Sequence, residues 1–130
     1  MDDRARRALM HGHTIDITTT GRRTGKPRRI EIVFHNFDGH IYISGMPNPV
    51  RRRSWLANLE ANPRFTFHLK GPIRTDLQAR AVEITEPRRR REILEKVARV
   101  WRRTDVDSMV RYSPLIEVTI DDAAAAPTAA

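Results

Sequence analysis

The 130-residue sequence predicts a mainly β fold, a six-stranded antiparallel barrel with accessory helices covering its ends and gaps. Three observations carry that expectation. Six short stretches alternate apolar and polar residues with period two, as half-buried strands do. Two of them flank Asp38-Gly39, a strong signal for a hairpin closed by a two-residue type I′ turn. The predicted order is helix, three strands, helix, two strands, helix, strand, whereas a parallel α/β sheet would alternate its elements.

Residues Thr14 to Thr20 alternate around Ile15 and Ile17 and are rich in β-branched threonine, which suits a strand. Gly21 to Pro27 is a turn, because two glycines and a proline interrupt any continuing strand. Arg28 to Phe37 is the next strand, with Ile30, Ile32 and Phe34 on one face. After the turn, His40 to Ser44 returns, and a two-residue loop pairs Phe34 with Ile43 and Asn36 with Ile41. Gly45-Met-Pro-Asn-Pro49 breaks the strand, and a helix is expected from about Val50 to Asn62, stopped by Pro63. Phe65, Phe67 and Leu69 face the core of a fourth strand. Leu77 to Thr85 is a fifth, where the apolar positions change face at Val82 and Ile84, as a barrel-closing bulge would require. Pro87 opens a helix whose stripe is Ile93, Leu94, Val97, Val100 and Trp101. Arg88 to Arg91, at its N-terminal end, reads as a solvated or ligand-facing patch. Asp105 to Tyr112 forms a short helix or turn, and Leu115 to Ile120 the last strand. Residues 1–121 are thus one domain of ordinary size, and residues 122–130, without a large apolar side chain, are expected to be a disordered tail.

The chain carries 24 Lys and Arg against 16 Asp and Glu, a net charge of +8. Only Lys26, Lys70 and Lys96 are lysines, so the excess is almost all arginine, whose planar fork suits phosphate and carboxylate groups. There are no cysteines, which excludes disulfides, thiolate metal sites and a cysteine nucleophile. The five histidines form no dense cluster; His11 and His13 read as a solvated pair, and no metal is expected. No apolar run approaches the roughly 20 residues of a membrane span, and no signal peptide is visible. The expected location is the cytoplasm.

Two stretches could carry chemistry. Gly21-Arg-Arg-Thr-Gly25-Lys26 fails as a nucleotide-hydrolysing P-loop: three residues separate its glycines, Pro27 stands where Ser or Thr belongs, and a strand follows. What remains is a turn carrying Arg22, Arg23, Lys26 and Arg28, which reads either as an anion site or as an ordinary basic hairpin tip. The second stretch runs from Ser44 to Asn58 and sets Arg51, Arg52 and Arg53 at the start of a helix, where free N–H groups and the dipole also favour an anion. No nucleophile or acid–base pair stands out, so any chemistry belongs to a cofactor. Tyr42 and Tyr112 are conceivable proton donors, although both read more naturally as buried tyrosines.

Thr18-Thr-Thr-Gly-Arg-Arg-Thr-Gly-Lys-Pro-Arg28, Asp38-Gly39 and Trp55-Leu-Ala-Asn-Leu-Glu-Ala-Asn-Pro63 together resemble the deazaflavin (F420)-dependent nitroreductase family. That family lies within the split-barrel, pyridoxamine-phosphate-oxidase-like flavin-binding superfamily. The resemblance implies a split β-barrel, bound F420 with FMN as the alternative, and hydride transfer to a small organic acceptor such as a quinone or nitroaromatic. By position it implies that Arg22, Arg23 and Arg28 meet the cofactor's phosphate or polyglutamate tail. The backbone of Ser44, Gly45 and Met46 would approach the ring, and Arg52, Arg53, Ser54, Trp55 and Asn58 would hold the phosphate side. It also implies a homodimer. The loop departs from the family pattern: Met46-Pro-Asn-Pro49 replaces a glycine pair, and Arg53 replaces a proline two residues before Trp55, which stiffens the loop and removes N–H donors. Two other readings fit the residues, a non-catalytic deazaflavin carrier and a basic barrel that binds single-stranded nucleic acid. The small number of aromatic residues disfavours the latter.

Overall fold

The computed structural model describes residues 1–121, so the predicted tail at 122–130 lies outside the described residues. The elements are α1 (Asp3–Ala8), β1 (Thr14–Thr20), β2 (Pro27–Phe37), β3 (His40–Ser44), α2 (Ser54–Ala61), β4 (Arg64–Leu69), β5 (Thr75–Glu83), α3 (Pro87–Trp101), α4 (Val106–Tyr112) and β6 (Leu115–Ile120). The six strands close into a barrel in the order β1-β2-β3-β6-β5-β4, with every neighbour antiparallel. The β2–β3 hairpin has the expected register, Phe34 opposite Ile43 and Asn36 opposite Ile41. Its turn places Asp38 at φ 55° and Gly39 at φ 88°, the positive pair that a type I′ turn requires.

Alternation fills the barrel. Ile15, Ile17, Phe34, Ile43, Phe67 and Ile116 point inward and are essentially inaccessible, and the rings of Phe34 and Phe67 meet edge to face 5.2 Å apart. Each such side chain contributes about 1.5–3 kcal/mol through burial. Ala5 and Leu9, at the start of the chain, join this core from one side, and Trp55, Leu56 and Leu59 of α2 join it from another. Polar strand faces point out and pair with one another: Asp16 meets Arg29 and Lys70, and Lys70 also meets Glu31. Gly12 sits so close to β2 that an added Cβ would lie 2.3 Å from the Phe34 carbonyl oxygen, which brings the α1 segment flush against the barrel.

A second apolar layer lies outside the barrel, where α3 and α4 pack Ile93, Leu94, Val97 and Met109 over Tyr42, Ile84 and Leu115. The buried stripe of α3 differs from the predicted one. It consists of Arg90, Ile93, Leu94, Val97 and Ala98, while Val100 is exposed. Arg90 takes the first position because its guanidinium donates to the carbonyls of Ile84, Met109, Val110 and Ser113, clasping α3, α4 and the ends of β5 and β6 together. Its neighbours are also engaged, Arg89 with Glu117 and Arg91 with Asp107, so most of the Arg88–Arg91 run is structural and does not form a free basic patch. The Glu86 carboxylate caps the helix by accepting from the Arg88 and Arg89 N–H groups.

Two further expectations are corrected. The helix predicted from Val50 begins only at Ser54, because the Asn48 side chain accepts from the Val50 and Arg51 N–H groups and holds the chain in a turn. The bulge expected in β5 is absent from its pairing with β6, which runs without slippage from Ala79 opposite Ile120 to Glu83 opposite Ile116. Val82 simply faces solvent, and Ile84 lies past the strand end, under α3.

Candidate active site

The β1–β2 turn closes on itself before it offers anything to a ligand. The Gly21 N–H donates to the Lys26 carbonyl at 2.8 Å, the Gly25 N–H donates to the Gly21 carbonyl at 2.8 Å, and Gly25 takes φ 72°. A Cβ on Gly21 would stand 3.0 Å from the Lys26 carbonyl oxygen, so a larger residue there would press on the closure. The turn is then tied to α2 through Asn58, a buried amide. Asn58 Oδ1 accepts from the Arg22 backbone N–H at 3.1 Å and from Arg22 Nη1 at 2.9 Å, and Nδ2 donates to Thr19 Oγ1 at 3.1 Å. The result is a cleft of about 580 Å³ between the turn and α2, lined by Arg22, Arg23, Arg28 and Arg29 on one side and Ser54, Trp55 and Asn58 on the other. Arg29 is neutralised by Asp16, whereas the side chains of Arg23 and Arg28 have no ion-pair or hydrogen-bond partner among the described residues.

The start of α2 separates this cleft from a second. Arg53 is the N-cap, with extended backbone and no side-chain cap, so the N–H groups of the first turn keep their full capacity for an anion. The second cleft, about 620 Å³, runs from the Asn48–Arg53 loop across α2 to α4, with Leu56, Val110, Tyr112 and Pro114 on its walls and Arg51, Arg52, Arg53 and Arg111 around it. Three of the loop's N–H groups are spent: those of Val50 and Arg51 on Asn48 Oδ1, and that of Asn48 on the Tyr112 carbonyl. The charged donors on this side are guanidinium groups. Arg52 is held by Glu60 at 2.9 Å and Glu83 at 3.4 Å, but the side chains of Arg51, Arg53 and Arg111 have no such partner among the described residues.

The predicted site residues thus divide between two adjoining clefts. Arg22, Arg23, Arg28, Ser54, Trp55 and Asn58 line the first, and Arg52 and Arg53 the second. Ser44 is buried and donates its hydroxyl to the Pro114 carbonyl at 2.6 Å. Gly45 adjoins the second cleft: a Cβ there would lie 3.1 Å from the Pro114 ring and 3.3 Å from the Arg53 guanidinium. Met46 is half-exposed and rests against Arg103. Tyr42 is buried, and burial raises its pKa, with Glu117 adding to the effect. Tyr112, expected to be buried, is 41% exposed and opens onto the second cleft. The sequence reading missed Arg111 and the structural hub formed by Asn58; the first lies in a helix that carried no motif, and the second shows only when strand and helix meet. It also missed His35, a buried imidazole against Phe37 and Trp101 whose Nε2 has no hydrogen-bond partner among the described residues and whose pKa burial lowers to about 4. No group of three or more potential metal-ligating side chains occurs among the described residues.

A closed antiparallel barrel with two arginine-lined clefts meeting at an uncapped helix start suits a split-barrel protein that binds an anionic, flavin-type cofactor. The comparison with family models agrees. Residues 3–120 match the model of the F420H2-dependent quinone reductase family, and the chain belongs to that family. It is an F420-dependent oxidoreductase. Solved structures with the same fold include a conserved hypothetical protein from Mycobacterium tuberculosis, 20% identical with TM-score 0.68, covering 92% of this chain and 81% of that one. An F420-H2-dependent reductase, also 20% identical, has TM-score 0.62 over 82% of this chain and 93% of its own. A pyridoxamine 5'-phosphate oxidase-like protein from Listeria innocua is 14% identical with TM-score 0.63, over 92% and 93% of the two chains. F420 is the cofactor of this family, and the first cleft, with Arg23 and Arg28 lacking partners among the described residues and the open helix start beside them, has the chemistry to suit an anionic group.

Proposed function

We propose that the protein reduces a small organic acceptor, a quinone or nitroaromatic, with the anionic part of F420 held in the first cleft and its ring reaching the passage into the second. The observation that carries this reading is the pair of partnerless arginines, Arg23 and Arg28, facing the uncapped start of α2 across one cleft. Charges left unpaired at the mouth of a preformed concavity are a standing offer to an anion. Arg22, fixed by Asn58, would orient the phosphate side together with Arg23, Arg28 and the N–H groups of α2. The Gly45 backbone, beside Arg53 and Pro114, would flank the ring where the first cleft passes into the second.

When bound, reduced F420 supplies a hydride and a proton, so a quinone gains two electrons and two hydrogens and becomes the hydroquinone. The protein's own residues bind and orient: Trp55 and Thr19 wall the first cleft, and Leu56, Val110 and Pro114 form apolar wall in the second. Tyr112 is the accessible hydroxyl at the acceptor side and a candidate to hold the acceptor's oxygen.

The test is a fluorescence titration of F420 into the wild-type protein and an Arg23→Gln/Arg28→Gln variant. Each lost charge-assisted contact is expected to cost about 1.5–3 kcal/mol, so the double variant should bind F420 at least about a hundredfold more weakly. The fold should survive, because exposed arginines contribute little to stability. Unchanged affinity in the double variant would refute this placement.

A further inference from the structure

We propose that the second cleft selects an acceptor bearing a carboxylate, held by Arg51 and Arg111 while its aromatic body lies against the apolar wall. The inference deepens the reductase reading above and rests on it for turnover, though not for binding. Both arginines line the cleft, both are exposed, and neither side chain has a partner among the described residues. The contrast with Arg52 is informative. Arg52, between Arg51 and Arg53 in the same loop, is held by Glu60 and Glu83, so the fold neutralises one cation of this loop and leaves Arg51 without a partner among the described residues. Arg111 reaches the cleft from α4 and Arg51 from the loop before α2, so two independent elements converge on one rim. They are held in relation to each other by the bond from the Asn48 N–H to the Tyr112 carbonyl and by the Asn48 side chain on the Arg51 N–H.

The wall between them sets the remaining chemistry. Leu56, Val110 and Pro114 offer no hydrogen bonds from their side chains, and the exposed Tyr112 ring offers a flat face. An aromatic ring with one carboxylate matches a cleft that combines apolar wall with two guanidinium forks, since each fork presents paired N–H donors to a carboxylate. A neutral quinone would leave the two arginines unused.

Two ligands of nearly the same shape test this: 4-nitrobenzoate and 4-nitrobenzamide. In turnover, the hydride and proton released on oxidation of reduced F420 convert the nitro group to nitroso, and the severed oxygen leaves as water. Dissociation constants are measured by calorimetry with protein carrying oxidised F420, which cannot turn over, and kcat/KM is measured with reduced F420. The carboxylate is expected to bind about tenfold more tightly than the amide at 50 mM salt, with the ratio shrinking at 500 mM. In an Arg51→Gln/Arg111→Gln variant the ratio should fall toward one while F420 affinity holds. A wild-type ratio near one, or a ratio the double variant leaves intact, overturns the proposal. So does expulsion of 4-nitrobenzoate by F420, which would give the whole second cleft to the cofactor. Should F420 itself fail to bind, the reductase reading falls, and the same ratio on unloaded protein still decides for or against the carboxylate site.

Discussion

Under the proposed placement of F420, Asn58 is the position where stability and cofactor binding meet, and replacing it separates the two. In Asn58→Ala the Arg22 backbone N–H and the Thr19 hydroxyl lose their partners, and Thr19 is only 2% exposed. Each stranded polar group costs about 1–3 kcal/mol, so the expected loss is about 3 kcal/mol, with little recovered from a cavity that small. The Arg22 guanidinium contributes less, because it is exposed and regains water. At about 4 °C per kcal/mol for a chain of this size, Tm should fall by about 12 °C. Asn58→Asp acts differently. The carboxylate keeps both Arg22 contacts and can accept from the Thr19 hydroxyl, so most of the stability should return. It also places a negative charge in the wall of the first cleft. F420 affinity should therefore drop at least tenfold in Asn58→Asp although the fold is retained. Differential scanning fluorimetry and F420 titration on the two variants give both readouts. A Tm within about 3 °C of wild type for Asn58→Ala would refute the hub, and wild-type F420 affinity in Asn58→Asp would refute an anion in this cleft.

Two further outcomes follow from buried groups outside the clefts. The His35 imidazole is neutral in the folded protein, with a pKa lowered from 6.5 to about 4 by burial. Its unfolded form takes a proton below pH 6.5, so the stabilisation is complete above that pH and is lost as pH falls toward 4, by about 3 kcal/mol in all. Urea unfolding of the wild type and His35→Phe at pH 7 and pH 4.5 measures this: the wild type should lose about 2–3 kcal/mol more than the variant, and parallel losses would exclude His35 as the cause. Arg90→Met should destabilise by about 3–5 kcal/mol in the same assay, because it strands the carbonyls of Ile84, Val110 and Ser113, whereas that of Met109 keeps the Ser113 N–H. A loss below 1 kcal/mol would mean that those carbonyls find other donors.

The barrel was legible because its information is local. Period-two alternation, Asp38-Gly39 and Pro63 each act within a few residues, and each needs only backbone sterics and burial to be read. Failures arose where a side chain's hydrogen bonds, distant or local, overrode what periodicity and charge suggest. Arg90 reads as one more cation in a run of four, since nothing adjacent in sequence reveals that carbonyls from α4 and from the ends of β5 and β6 converge on it. Asn48 delays α2 through two hydrogen bonds that compete with helix propensity, and a propensity reading has no term for them. The site shows the same division. The arginines of the Gly21–Arg28 turn and of the Arg51–Arg53 loop were legible as basic clusters, but their pairing was not. Glu60, Glu83 and Asp16 silence Arg52 and Arg29, leaving Arg23, Arg28, Arg51, Arg53 and Arg111 as the cations of the two clefts without a partner among the described residues. A sequence counts charges, whereas a ligand meets only those that the fold leaves uncompensated. If the clefts bind as proposed, specificity is encoded as much by where Asp16, Glu60 and Glu83 stand as by the arginines themselves.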